Sequence, residues 1–126
     1  MEKGNLKQNG VHLEPHEYET VKFFLAQGKD IELIPRSKTR GLHIGDFTME
    51  GVLWEAKAPV GTGKKNVENI LQTAIAQSRN IIIDLRRSKM PQDKAVKAYQ
   101  KEFLTCKGIK RMKIITKDEQ ILDFIR

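Results

Sequence analysis

Cysteine is nearly absent from this sequence, and so are long apolar runs, internal repeats and low-complexity tracts. One cysteine, Cys106, in 126 residues cannot supply a disulfide framework. A chain of this length does not need one, since it buries roughly two-thirds of the surface its unfolded form exposes. No apolar stretch approaches the ~20 residues that cross a bilayer. Met1 to Gly10 is polar and holds no apolar signal segment. These absences exclude a secreted disulfide scaffold, a membrane-spanning chain and a disordered tail. The expectation is one cytosol-compatible globular domain over residues 1–126, with residues 1–13 as a loose polar lead-in.

What is present is positive charge, unevenly placed. The chain carries 23 Lys+Arg against 16 Asp+Glu, a net of +7. Residues 1–60 hold eight basic and nine acidic residues, a net of −1, and residues 61–126 hold 15 and seven, a net of +8. An excess confined to one half points to a basic face for a polyanion, nucleic-acid phosphates above all.

Hydrophobic periodicity sets the element order. Pro15 suits the first helical position, and Val21, Phe24 and Leu25 mark an amphipathic helix that Gly28 ends. Asp30 to Pro35 alternates as a short strand. Val67, Ile70, Leu71, Ala74 and Ile75 recur at helical spacing from Asn66 onward. Ile81 to Leu85 is a continuous apolar run, consistent with a buried strand. Ala95, Val96, Tyr99, Phe103 and Leu104 share a face of a third helix, and Met112 to Thr116 with Gln120 to Ile125 forms a last hairpin. The fold expected is a single-domain α/β structure, with a mixed sheet of about five or six strands flanked by helices. Its order is helix, three strands, helix, strand, then a C-terminal helix and hairpin.

The chemistry concentrates in His43 to Ala58. With Glu50-Gly51 as a two-residue turn, residues whose numbers sum to 101 face each other. Phe47, Met49, Val52, Trp54 and Ala56 then form an apolar face, which makes Trp54 core. Asp46, Glu55 and Lys57 lie on the other, with Asp46 directly opposite Glu55. Opposed carboxylates repel unless a cation balances them. Either the Lys57 ammonium or a divalent ion serves, and paired hard oxygen ligands suit Mg²⁺ or Mn²⁺. Such an ion activates water and polarises a phosphoryl group, while a neighbouring lysine stabilises the charge that develops.

Asp46, eight residues, then Glu55-Ala56-Lys57 resembles the D-x(n)-E-x-K core of PD-(D/E)XK nucleases, and residues 15–85 match that fold's element order. Gly45 departs from the pattern, standing where proline usually precedes the aspartate. A closer resemblance spans residues 11–126, through Pro15-His16-Glu17, Trp54-Glu55-Ala56-Lys57-Ala58-Pro59, Gly63-Lys64-Lys65-Asn66, Gln77-Ser78-Arg79-Asn80, Ile83-Asp84-Leu85-Arg86-Arg87 and Ile115-Thr116-Lys117. These stretches are similar to the C-terminal tRNA nuclease domains of bacterial polymorphic toxins of the CdiA type, which mediate contact-dependent growth inhibition. The resemblance implies an RNase acting on tRNA, a cognate immunity protein as partner, and delivery as part of a larger toxin to a cytoplasmic site of action. It leaves open a need for a translation factor and metal-dependent against metal-independent chemistry.

Asp46, Glu55 and Lys57 are therefore the expected catalytic residues, with Asp46 and Glu55 as metal ligands. Glu17, His16 and Gln77 are accessory candidates. Each has a plainer reading: Glu17 complements a helix N-terminus, His16 is a surface histidine, and Gln77 ends a helix. Lys64, Lys65, Arg86, Arg87 and Lys89 flank strand ends and are expected to grip phosphates. Cys106 reads as a small core residue. Ala58 to Lys64 imitates a phosphate-binding loop, but alanine stands at its first glycine and Lys65 where Ser or Thr would hold Mg²⁺. Two alternatives to the metal-dependent nuclease remain. One is a barnase/colicin-like RNase using His43 and Lys57 without metal; the other is a non-catalytic DNA-binding accessory protein of a mobile element.

Overall fold

The computed structural model describes residues 3–35 and 45–126. Its elements are β1 (Leu6–Lys7), α1 (Pro15–Ala26), β2 (Ile31–Leu33), β3 (Phe47–Met49), β4 (Val52–Lys57), α2 (Lys64–Ile75), β5 (Asn80–Asp84), α3 (Gln92–Thr105), β6 (Arg111–Ile115) and β7 (Ile121–Ile125). The strands form one mixed sheet in sequence order, β1 through β7. β1–β2, β4–β5 and β5–β6 pair parallel; β2–β3, β3–β4 and β6–β7 pair antiparallel.

The seventh strand, one more than the sequence pattern suggests, is β1. Its two residues carry no periodicity, and they are held by pairing Leu6 with Ile31 and Lys7 with Glu32. Residues 6–7 thus belong to the sheet rather than to a loose lead-in. α2 starts two residues before Asn66, at Lys64.

A helix layer covers each face of the sheet. Along β5 the side chains alternate: Ile81 and Ile83 pack with Val67, Leu71, Ala95, Tyr99 and Phe103 of α2 and α3. Ile82 packs with Val21, Phe23 and Phe24 of α1, together with Phe47, Met49 and Trp54. Burial on both faces is why β5 reads as an unbroken apolar run. Trp54 is core, as its place on the apolar hairpin face requires, and its indole N–H donates to the Met49 carbonyl at 3.1 Å. Cys106 packs at the edge of the α2–α3 core. Leu104 does not join its helix's buried face. It is 67% exposed, because at ~100° per residue it falls on the side opposite Tyr99.

α2 and α3 each follow a parallel strand and α1 precedes one, so all three helices begin at the edge where β4, β5 and β6 end. That edge gathers three helix N-termini, each a partial positive charge.

Ile82 and Leu104 set the scale of the core. Replacing Ile82 with alanine should cost about 2–5 kcal/mol, while Leu104→Ala should stay within about 0.5 kcal/mol of the parent. Urea unfolding monitored by Trp54 fluorescence measures both.

Candidate active site at the strand ends

The β3–β4 hairpin has the register that its turn dictates. Phe47 pairs with Trp54, Thr48 with Leu53 and Met49 with Val52. Glu50 and Gly51 both take positive φ, 57° and 74°, the two-residue turn that matches strand twist. Glu50 bears that conformation while its carboxylate contacts Lys29 at 3.2 Å and Lys113 at 3.4 Å.

At Asp46 the ladder departs from the simple pairing. Its N–H donates to the Trp54 carbonyl at 2.8 Å, and its own carbonyl accepts from Ile34 N–H at 3.0 Å. Its carboxylate accepts from Ala56 N–H at 2.9 Å. The Asp46 carboxylate is thereby held on the backbone of β4, at the residue between Glu55 and Lys57. The departure begins at Gly45, whose φ of 116° is closed to proline, and where a Cβ would crowd Leu53 at 3.0 Å. Glycine in place of the motif's proline follows from that geometry.

Glu55 is 2% exposed, and its carboxylate meets the Lys57 ammonium at 3.2 Å. Their partners on β5 are Ile81 and Ile83, so both side chains project to the α2–α3 face. A carboxylate this deep is tolerated only when paired, and Lys57, still partly open to solvent, supplies that pairing. Near the end of β4 the Asp46 carboxylate is thus bound at Ala56, between the ion-paired Glu55 and Lys57 in sequence. Their carboxylate oxygens are the hard donors that Mg²⁺ or Mn²⁺ takes. No cluster of three or more metal-ligating side chains is found among the described residues.

The basic residues divide by what they touch. Lys64 and Lys65 are exposed in the first turn of α2, which has no acidic residue and no side-chain cap. Arg87 is exposed and donates from Nε to the Ala58 carbonyl at 2.8 Å. Lys89 is exposed, and its N–H donates to the Val60 carbonyl at 3.1 Å. These bonds stitch the loop after β4 to the loop after β5 and put the four cations beyond the strand ends, where ligands bind open α/β sheets.

Arg86 is used differently. Its guanidinium donates to both carboxylate oxygens of Asp84, at 3.0 and 2.8 Å, and to the Glu19 carbonyl at 2.9 Å. It also stacks 5.0 Å from the Phe23 ring. Asp84 further accepts from Thr20 Oγ1 at 2.7 Å. This network locks α1 onto the end of β5, on the sheet face opposite Glu55. Burial raises the Asp84 pKa, but the hydrogen bonds from Arg86 and Thr20 outweigh it and hold the carboxyl below its ordinary 3.8. Sequence reasoning did not single out Asp84; its signal was an aspartate closing an apolar strand with an arginine two residues on.

Each accessory candidate has its own local setting. Glu17 accepts from the Glu14 N–H at 2.9 Å, closing a capping box at the start of α1. His16 lines a cavity of about 210 Å³ on the α1 side, with Glu19, Ala58, Asp84, Arg86 and Arg87. Gln77 follows the C-terminus of α2, next to Ser78, whose hydroxyl donates to the Leu53 carbonyl near the start of β4. Lys57 marks the other end of that strand. His43 and the basic segment 36–42 lie outside the described residues.

The family model for the contact-dependent growth inhibition CdiA C-terminal domain matches residues 45–121, the span from the hairpin to the first residue of β7. The chain belongs to that family. It is a contact-dependent growth inhibition toxin domain. Among solved structures, the CdiA-CT/CdiI toxin and immunity complex from Burkholderia pseudomallei is similar in fold at a TM-score of 0.74. The identity is 18%, and the match covers 98% of this chain and 100% of that one. No curated protein matches the sequence.

The Asp84 network predicts an acid-sensitive toxin domain. With the folded pKa lowered, the contribution is complete above about 3.8 and disappears as pH falls through the folded value. Asp84→Asn should lose about 3 kcal/mol at neutral pH and flatten the decline of stability below pH ~4. Urea titrations at several pH values, parent against variant, measure both effects.

Proposed function

We propose that this toxin domain is an endonuclease that hydrolyses phosphodiester bonds of RNA, with tRNA as its target. The observation that carries the reading is the Asp46 carboxylate held on the β4 backbone between Glu55 and its ion-pair partner Lys57, beside an edge lined by Lys64, Lys65, Arg87 and Lys89. A phosphodiester bond lying along that edge has its backbone neutralised by the lysines and Arg87, which fix position and carry no sequence preference. The Lys57 ammonium lies within reach of a phosphoryl oxygen or an attacking water and stabilises charge that grows in the transition state. Asp46 and Glu55 would hold Mg²⁺ or Mn²⁺, which supplies an activated water and a polarised phosphoryl oxygen when bound.

The Burkholderia relative is solved with an immunity protein, and we extend that partnership to this chain: a cognate immunity protein covers the site in the producing cell. The same reading makes the domain the delivered part of a larger toxin, acting in the cytoplasm of its target. A translation factor enters as a component to add or withhold in the assay.

One observation favours a second reading. Lys57 already balances Glu55 without a cation, as a metal-independent RNase requires. Incubation with total tRNA, in Mg²⁺ and in EDTA with product ends mapped, separates the two. The metal-dependent reading expects cleavage lost in EDTA. The alternative expects full activity and a 2′,3′-cyclic phosphate. Binding without cleavage under either condition would instead mark a nucleic-acid-binding module.

Lys57→Met tests the lysine. Because it strips a buried glutamate of its ammonium, it should cost about 3 kcal/mol of stability, so the Glu55→Gln/Lys57→Met pair is the folding control. For a folded Lys57→Met protein the cleavage rate should fall on the order of 10²–10³-fold. A parental rate would remove Lys57 from the mechanism.

A further inference from the structure

Besides the strand-end cations, the chain carries a second set of unpaired lysines on α3. Lys94, Lys97 and Lys101 fall within an arc of about 60° at ~100° per residue. That arc is opposite the buried Ala95, Tyr99 and Phe103, so it is the outermost surface of the helix layer. All three are exposed. Among the described residues, none makes an ion pair within 4 Å. Asp93, spaced to reach Lys97, does not close on it. Lys97 and Lys101 stand four residues apart, an arrangement of like charges that costs a helix a few tenths of a kcal/mol in isolation.

The stripe is continuous with the proposed site. α3 starts two residues after Met90, just past Lys89, and the β6–β7 loop abuts that start, Lys117 N–H donating to Gln92 Oε1 at 2.7 Å. α2, with Lys64 and Lys65 in its first turn, lies beside α3 in the same layer. From the strand-end edge the lysines run down α3, one every 4.5–6 Å of rise, roughly.

We infer that the substrate RNA does not end at the active edge but continues over α3, where Lys94, Lys97 and Lys101 hold a second stretch of its backbone. Charge complementarity selects the occupant. Flexible ammonium groups in a row suit a chain of repeated phosphates, bound without reading bases. Because this rests on the nuclease reading, its test is a binding measurement.

The binding of labelled tRNA is measured across a salt series for the full chain. The parent is compared with the triple variant Lys94→Gln/Lys97→Gln/Lys101→Gln. A control triple, Lys3→Gln/Lys7→Gln/Lys22→Gln, removes equal charge from the segment before β1, from β1 and from α1. All six positions are exposed, and melting curves verify folding. The α3 triple should weaken binding at least tenfold at low salt and reduce the slope of log affinity against log salt by roughly 2–3. The control triple should do much less. Equal effects of the two triples, or an unchanged slope in the α3 triple, would overturn the inference while leaving the nuclease reading intact. Loss of immunity-protein binding with tRNA binding retained would also overturn it, giving the face to a protein partner. A parent chain that binds no tRNA would overturn both.

Discussion

The ion pair between Lys57 and Glu55 exists only in one register of the β3–β4 hairpin. Slide β4 by a single residue and both charges turn toward α1, while Trp54 and Ala56 turn away from the core they fill. The Glu50-Gly51 turn prevents that slip, since two positive-φ residues fix both the loop length and the pairing that follows. From this register the rest of the site is laid out. It sets Ala56 N–H where the Asp46 carboxylate can accept it. It sets Glu55 and Lys57 against Ile81 and Ile83 of β5, and it brings the loop after β4 alongside the loop after β5. A charged pair in a largely apolar layer gives weak support to stability. On the proposed nuclease reading, its place near a strand end, beside exposed cations, serves chemistry rather than folding.

Each sheet face has its own task at that end. On the α1 side, Asp84, Arg86, Thr20 and the Glu19 carbonyl form a closed set of hydrogen bonds that anchors a helix. On the α2–α3 side, Glu55 is buried and its partner Lys57 is partly open to solvent near a basic rim. Arg86 is thus a cation neutralised by structure, whereas Lys64, Lys65, Arg87 and Lys89 keep their charge available. Charge in the sequence is alike in both cases; geometry alone separates a strut from a grip.

Much of this was legible in the residues. Period-3.6 and period-2 patterns carry the three helices and six of the strands, because each buries one face or, for β5, both. The hairpin register follows from Glu50-Gly51 and the apolar alternation on either side. β1 was not legible, since two residues of edge pairing leave no pattern. Leu104 does not belong to the face it was grouped with, since at ~100° per residue it points away from Tyr99. The departure at Asp46 was hidden as well: the pairing rule sets it opposite Glu55, whereas the positive φ of Gly45 lets its carboxylate cap the Ala56 N–H. The Asp84–Arg86 pair was visible as two residues, and its role appeared only once α1 was packed against them.

The central claim is that the buried Glu55 serves phosphodiester hydrolysis rather than the fold. Single-turnover cleavage of tRNA by Glu55→Gln, whose amide keeps the shape and removes the charge, tests it most directly. The account predicts a folded protein that still binds tRNA and cleaves at least about 10²-fold more slowly, the scale on which removing one transition-state group acts. A folded Glu55→Gln variant that cleaves at the parental rate would contradict it.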